Sequence, residues 1–179
     1  MPYDLDPPET VSIHPALHVG GSTIAGQGLL TSEPLEEGTV VVRLGGQIVT
    51  TDELRILFAA AAASDEYIDT VAVGDDLHLV LPRQTAAHYG NHSCDPTMWP
   101  VSAFELATRR SIVTGEELTI DYGLISDDIE FRMVCACRSA GCRGVITGAD
   151  WRHADLRARY QGHWPLGLQR RIDGQGEPS

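Results

Sequence analysis

Four cysteines constrain this chain more than any other feature. Cys135, Cys137 and Cys142 form a tight C-x-C-x4-C cluster, and Cys94 lies far upstream inside Asn91-His92-Ser93-Cys94-Asp95-Pro96. Three clustered thiols and one distant thiol make a complete tetrahedral S4 set for zinc, with none left over. Cysteines at i and i+2 are poorly placed to bridge each other, so metal is a better expectation than disulfide. A chain that brings residue 94 against residues 135–142 must fold its last third back onto a central loop. That geometry predicts a site assembled from distant parts of the chain.

The 179 residues are enough for one domain with its own hydrophobic core. The opening Met1-Pro-Tyr-Asp-Leu-Asp-Pro-Pro-Glu is acidic and proline-rich, unlike a signal peptide. No apolar run approaches the roughly 20 residues that span a bilayer. The expectation is a cytoplasmic protein with no membrane partner. Charge is uneven: residues 1–131 carry 21 acids against five arginines, whereas residues 132–179 carry eight arginines against four acids. An acidic body argues against direct nucleic-acid binding, which needs a basic face, and favours a basic protein or peptide partner. All 13 basic residues are arginine; the chain has no lysine.

The segment 16–50 reads as short strands broken by glycines, around Leu17–Val19, Gly26–Gly28, Thr39–Val42 and Gln47–Thr50. Thr50-x-x-Glu53 is a capping box that opens a helix over Asp52–Ala63. Val71–Val73 and Leu77–Leu81 flank Gly74-Asp75-Asp76 as a hairpin. A helical turn at Gln84–Tyr89 leads into the Asn91 loop, and strands follow around Phe104–Thr108 and Leu118–Tyr122. Asp127–Met133, Asp150–Tyr160 and Pro165–Ile172 read as helices. His78, alternating with Leu77 and Leu79, is expected to face solvent, and surface positions are expected for His14, His18, His153 and His163. The pattern predicts a mostly β fold of several small sheets with short helices. Its boundaries fall at a flexible N-terminus (1–10), a main domain (11–125), a cysteine segment (126–149) and a helical tail (150–179).

Taken singly, the motifs are weak. Gly26-Gln27-Gly28 lacks the strand–helix setting of a dinucleotide fingerprint. A cysteine nucleophile at Cys94 would need a free, activated thiolate, and the thiol count favours a metal ligand there instead. The H-x-E and P-C-x-x-C pattern of a zinc deaminase is absent. Tyr122, ending Gly115-Glu-Glu-Leu-Thr-Ile-Asp-Tyr122, reads alone as a core tyrosine.

In order along the chain, Gly26-x-Gly28, Asn91-His-Ser-Cys-Asp-Pro96, Gly115-Glu-Glu-Leu-Thr-Ile-Asp-Tyr122 and Cys135-x-Cys137-x4-Cys142-Arg143-Gly144 resemble a SET-domain methyltransferase with its post-SET zinc segment. The resemblance covers about residues 10–150. It implies a SET fold with a pseudoknot and methyl transfer from S-adenosylmethionine, leaving S-adenosylhomocysteine, to the side-chain amine of a protein lysine. By similarity, Gly26, Gln27, Gly28, Tyr89, Asn91, His92 and Trp151 would bind the cofactor. Val145 and Ile146 join Trp151 as possible apolar lids. Tyr67 and Ile120 would line the lysine channel, and Cys94, Cys135, Cys137 and Cys142 would hold one structural zinc. Tyr122 would be the catalytic residue, orienting the amine rather than acting as a strong base.

The chain departs from the family twice. Ile120 stands where many relatives carry Phe or Tyr, which implies a roomier channel and a tendency toward di- or trimethylation. Thr97 stands where the family continues its Asn-His-Ser-Cys-x-Pro run with Asn. Two rival readings are a catalytically weak SET-fold binding module and a methyltransferase for a small amine or free amino acid.

Overall fold

The computed structural model describes residues 5–174 apart from Asp65, Tyr67, Asp75, Gln84 and Asp127. Its strands are short and antiparallel, and they build four small sheets. The first contains β1 (Ser12–Ile13) and β4 (Val40–Arg43), with β8 (Met98–Pro100) and β9 (Glu105–Thr108), in the order β1-β4-β9-β8. The second sheet, β10-β3-β2, joins β2 (Leu17–Gly21), β3 (Gln27–Thr31) and β10 (Glu117–Leu118). β5 (Gln47–Thr50), β6 (Thr70–Gly74) and β7 (Leu77–Val80) make the third, ordered β5-β7-β6. β11 (Arg132–Val134) and β12 (Val145–Thr147) form a separate ribbon.

Leu29, Val41, Val42, Leu79, Leu106 and Leu118 pack into one core, and adjacent Val41 and Val42 are both buried where the β4–β9 register shifts. Each fully buried Leu or Val of that core contributes about 1.5–3 kcal/mol relative to an exposed side chain. Helix α1 (Thr51–Ala63) starts at the expected capping box, with Thr50 and Glu53 exchanging side-chain and backbone bonds. Only Leu54 and Ala61 of α1 are buried, so the helix lies on the sheet with one narrow face. A smaller second core gathers Leu124, Trp151, Leu156, Tyr160, Trp164 and Leu168, carried by α2 (Ala154–Arg159), α3 (Leu166–Gly174) and the turns before them. Among the described residues no helix is long and apolar enough to cross a membrane.

Several expectations need correction. The helix expected over Asp127–Met133 is absent from 128–133, Asp127 lying outside the described residues: Ile129–Glu130 turn, and Arg132–Val134 pair with Val145–Thr147. Ile129, Phe131 and Met133 alternate with polar or charged residues, a period of two that suits a strand. The strand expected over Leu118–Tyr122 is a ladder of two residues, and Tyr122–Leu124 form a 3-10 turn capped by the Asp121 side chain. His78 does not face open water; its Nε2 lies 2.9 Å from Thr51 Oγ1, because α1 covers that side of the sheet. His163 stacks on Trp99 with ring centroids 3.5 Å apart and bonds Pro100 O, so it too is partly buried.

Candidate functional site

Two distant segments run side by side at the centre. His92 and Ile120 form a parallel bridge, with Ile120 N–H donating to Asn91 O and Ser93 N–H to Ile120 O. The Asn91–Cys94 segment and the strand end at Tyr122 therefore form one unit, as the motifs require.

On one side of this unit lies a cavity of about 740 Å³. Buried Ile120 lines it with Tyr122 and Gly90, and so do the exposed side chains of Phe58 on α1 and Ile129. The Tyr122 hydroxyl donates to Gly90 O at 3.1 Å, and burial, then the nearby Asp69 charge, raise its pKa. Tyr122 is thus held protonated, able to donate and accept but unsuited to act as a base near neutral pH. Ile120 is 4% exposed. Asp69, paired with His88 at 3.2 Å, and Asp128 give the cavity wall negative charge. Tyr67, expected in the channel, falls outside the described residues.

Another face gathers hydrogen-bond acceptors. Asn91 Nδ2 lies 2.7 Å from Glu117 Oε1, 2.9 Å from Gln27 O, 3.1 Å from Ser22 Oγ and 3.2 Å from Ala25 O. Two amide hydrogens cannot satisfy four acceptors, so this cluster keeps capacity for another donor. The glycines on either side of Gln27 serve different needs. Gly26 adopts a left-handed φ of 51° with open space where a side chain would point. A Cβ on Gly28 would meet Glu117 Oε1 at 2.2 Å, so Gly28 makes room for that carboxylate. Tyr89 is 37% exposed on the turn entering Asn91. Trp151 is instead packed in the second core, 4% exposed, with the guanidinium groups of Arg152 and Arg157 beside it. Of the other expected lid residues, Ile146 is fully buried and Val145 half-buried.

Behind the unit, the cysteines converge. Ligand atoms of His92, Cys94, Cys135 and Cys137 lie within 4.8 Å of one another, and Cys142 contacts Cys135. Backbone N–H groups point at the sulfurs: Cys94 N–H at Cys137, Cys137 N–H at Cys135 and Arg143 N–H at Cys94, at 3.3–3.5 Å. Burial resists ionisation of Cys137, yet the Cys94 N–H and Ser139 bring its thiol down to about 6. Burial instead pushes the Cys94 thiol up to about 11 and raises that of Cys135, so the donors favour a thiolate outright only at Cys137, while the convergence of sulfurs suits a zinc ion. His92 offers a competing ligand atom, but its hydrogen bonds speak against it. Burial, despite the Asp121 charge, pushes its pKa down to about 4, so the ring is neutral. Its Nδ1 accepts from Tyr122 N–H at 3.1 Å, which leaves the proton on Nε2, 3.4 Å from Cys94 Sγ. In that tautomer the ring donates to the Cys94 sulfur, while the metal-capable group within 4.8 Å comprises His92, Cys94, Cys135 and Cys137.

Sequence reasoning missed the ion network that holds these parts together. Asp121, fully buried, accepts two bonds of 2.6 Å from Arg143, one of 2.8 Å from the Tyr160 hydroxyl and one of 2.9 Å from Gly123 N–H. Arg143 Nε also lies 3.0 Å from Asp150, which is 3% exposed. An aspartate inside the apolar run Leu118-Thr-Ile-Asp121 was the one available signal; Arg143 carried none beyond following Cys142.

A β protein of small sheets, with a tyrosine-floored cavity, an acceptor cluster and a thiol cluster meeting at two adjacent segments, defines the class. Residues 26–123 match the SET domain family model. The chain belongs to the SET-domain family. It is 30% identical over 151 residues to histone-lysine N-methyltransferase ash1 of Drosophila melanogaster, covering 74% of this chain and 6% of that protein. It is 28% identical over 146 residues to the probable histone-lysine N-methyltransferase set-23 of Caenorhabditis briggsae, covering 73% of this chain and 60% of that one. The chain thus spans less than two thirds of the length of either relative. The methyltransferase domain of human histone-lysine N-methyltransferase SETMAR shares the fold, with a TM-score of 0.58 at 24% identity over 74% of this chain and 57% of that one.

Proposed function

We propose that this chain is an S-adenosylmethionine-dependent protein-lysine methyltransferase. The observation that carries the reading is the protonated Tyr122 hydroxyl set in the cavity wall, beside the segment whose Asn91 heads the acceptor cluster. An amino-acid ammonium fits the spare acceptors of Ala25, Gln27 and Glu117, and S-adenosylmethionine carries one. When bound, that cofactor supplies a methyl group on a sulfonium. The chain's own residues position and exclude water. The apolar walls around Ile120 and Tyr122 desolvate an entering lysine, which disfavours its ammonium form. The Tyr122 hydroxyl orients the neutral amine for in-line attack.

The substrate reading is a basic protein segment, supported by the acidic body and by Asp69 and Asp128 in the cavity wall. Ile120, with no ring and no hydroxyl, supports transfer of more than one methyl. One zinc held by Cys94, Cys135, Cys137 and Cys142 would cross-link the Asn91 loop to the β11–β12 ribbon, a structural role with no open position for catalysis.

Labelled cofactor incubated with lysate from cells lacking the gene tests the reading. Label on protein lysine is expected, and Tyr122→Phe should bind S-adenosylhomocysteine normally while losing at least about 100-fold in turnover. Near-normal transfer by that variant removes Tyr122 from the chemistry. Label only on free lysine or small amines overturns the protein substrate. The lysine-free composition keeps the assay clean, because no label can enter a lysine of the enzyme itself.

A further inference from the structure

The end of α2 touches both central segments at once. Arg159 Nη1 donates to Cys94 O at 2.9 Å, and the next residue, Tyr160, donates its hydroxyl to Asp121 at 2.8 Å. Tyr160 is 1% exposed and packs edge-on against Trp164 in the second core. These residues lie beyond the stretch that matches the family model.

Asp121 lines neither the cavity nor the acceptor cluster. Its place is immediately before Tyr122. Its side chain caps the 3-10 turn through Gly123 N–H, and its carbonyl accepts from Leu124 N–H at 2.9 Å. The orientation of that turn fixes where the Tyr122 ring leaves the backbone. Tyr160 and Arg143 supply three of the four bonds to the carboxylate that sets it.

We propose that Tyr160 and Arg143 are positioning residues for Tyr122, acting through Asp121, so that the C-terminal helices belong to the reaction machinery. The inference rests on the methyltransferase reading. A side-chain misplacement of about 1 Å is enough to cost rate on the order of 100-fold without loss of binding.

Tyr160→Phe keeps the ring in its core and removes one bond. Arg143→Lys keeps the charge and loses the two-pronged fork. Each is assayed for methyl transfer, for S-adenosylhomocysteine affinity and by fluorine NMR of protein labelled with 3-fluorotyrosine, the Tyr122 signal being assigned with Tyr122→Phe. The expected result for Tyr160→Phe is a kcat lower by roughly tenfold, as for one hydrogen bond to a charged group, with KM and cofactor affinity within about twofold of wild type. The Tyr122 resonance should move or broaden in both variants. An unmoved resonance in both, or a kcat loss matched by equal loss of cofactor affinity, overturns the proposal. Should the wild type transfer no methyl at all, the functional reading falls, while the fluorine signal still decides whether Asp121 governs Tyr122.

Discussion

Arg143→Met isolates the energetic weight of the buried network. Methionine preserves much of the side-chain volume and removes the cation. In the wild type the guanidinium is 15% exposed, bonded twice to an Asp121 that is 0% exposed and set 3.0 Å from an Asp150 that is 3% exposed. Removing one member of a buried ion pair costs about 3–5 kcal/mol, because the partner charge is left uncompensated. Two carboxylates are left here, so the upper half of that range is expected. At about 2–4 °C per kcal/mol for a chain of this length, the melting temperature should fall by roughly 10–20 °C. Circular dichroism melts of zinc-loaded proteins measure it. The pH dependence gives a second arm. Burial alone would raise the Asp121 pKa, but the bonds and charge of Arg143 outweigh it and hold the carboxyl below its ordinary range. The wild-type contribution is therefore complete above about pH 4 and is lost only as the pH falls through the depressed value. In the variant the largest opposition to burial is gone and the Gly123 N–H and Tyr160 bonds remain, so the pKa rises and protonation relieves the penalty on acidification. The stability gap should narrow between about pH 7.5 and pH 5. A loss below about 1 kcal/mol, or a gap that widens with acid, refutes the reasoning.

Gly28→Ala should push Glu117 off Asn91 and Ser22, lowering affinity for S-adenosylhomocysteine about tenfold and costing about 1–3 kcal/mol. Titration calorimetry that finds unchanged affinity would remove the acceptor cluster from cofactor binding. Stripping zinc with a chelator should abolish transfer and speed amide exchange in residues 91–97, while the far-ultraviolet β signal persists; complete loss of that signal would make the metal global rather than local. Thr50→Ala should cost about 1 kcal/mol through loss of the α1 capping box, read as a small drop in melting temperature.

Local signals carried well from sequence to structure. The capping box at Thr50 and Glu53 starts α1 where expected, because both partners lie within one turn of each other. The hairpin around Gly74 holds for the same reason. What failed depended on distant partners. Residues 132–134 pair as a strand only because residues 145–147 come alongside, next to the converged cysteines. The acceptor set around Asn91 joins residues 22, 25, 27 and 117, and only the glycine spacing announced it. The Asp121–Arg143–Tyr160 network spans 39 positions without periodicity or motif. His78 was misplaced because alternation along a strand says nothing about a helix laid over its outer face.

The clip made by Arg159 and Tyr160 has a consequence for biosynthesis. Cys94, Asp121 and Tyr122 are translated well before the residues that fasten them. A ribosome-bound chain that has not yet released residue 160 holds every motif of the site without its fastening, and so does a chain clipped before that residue. On the proposed function, Tyr122 is fully seated only once α2 docks and Tyr160 reaches Asp121, so the motifs alone precede the aligned site.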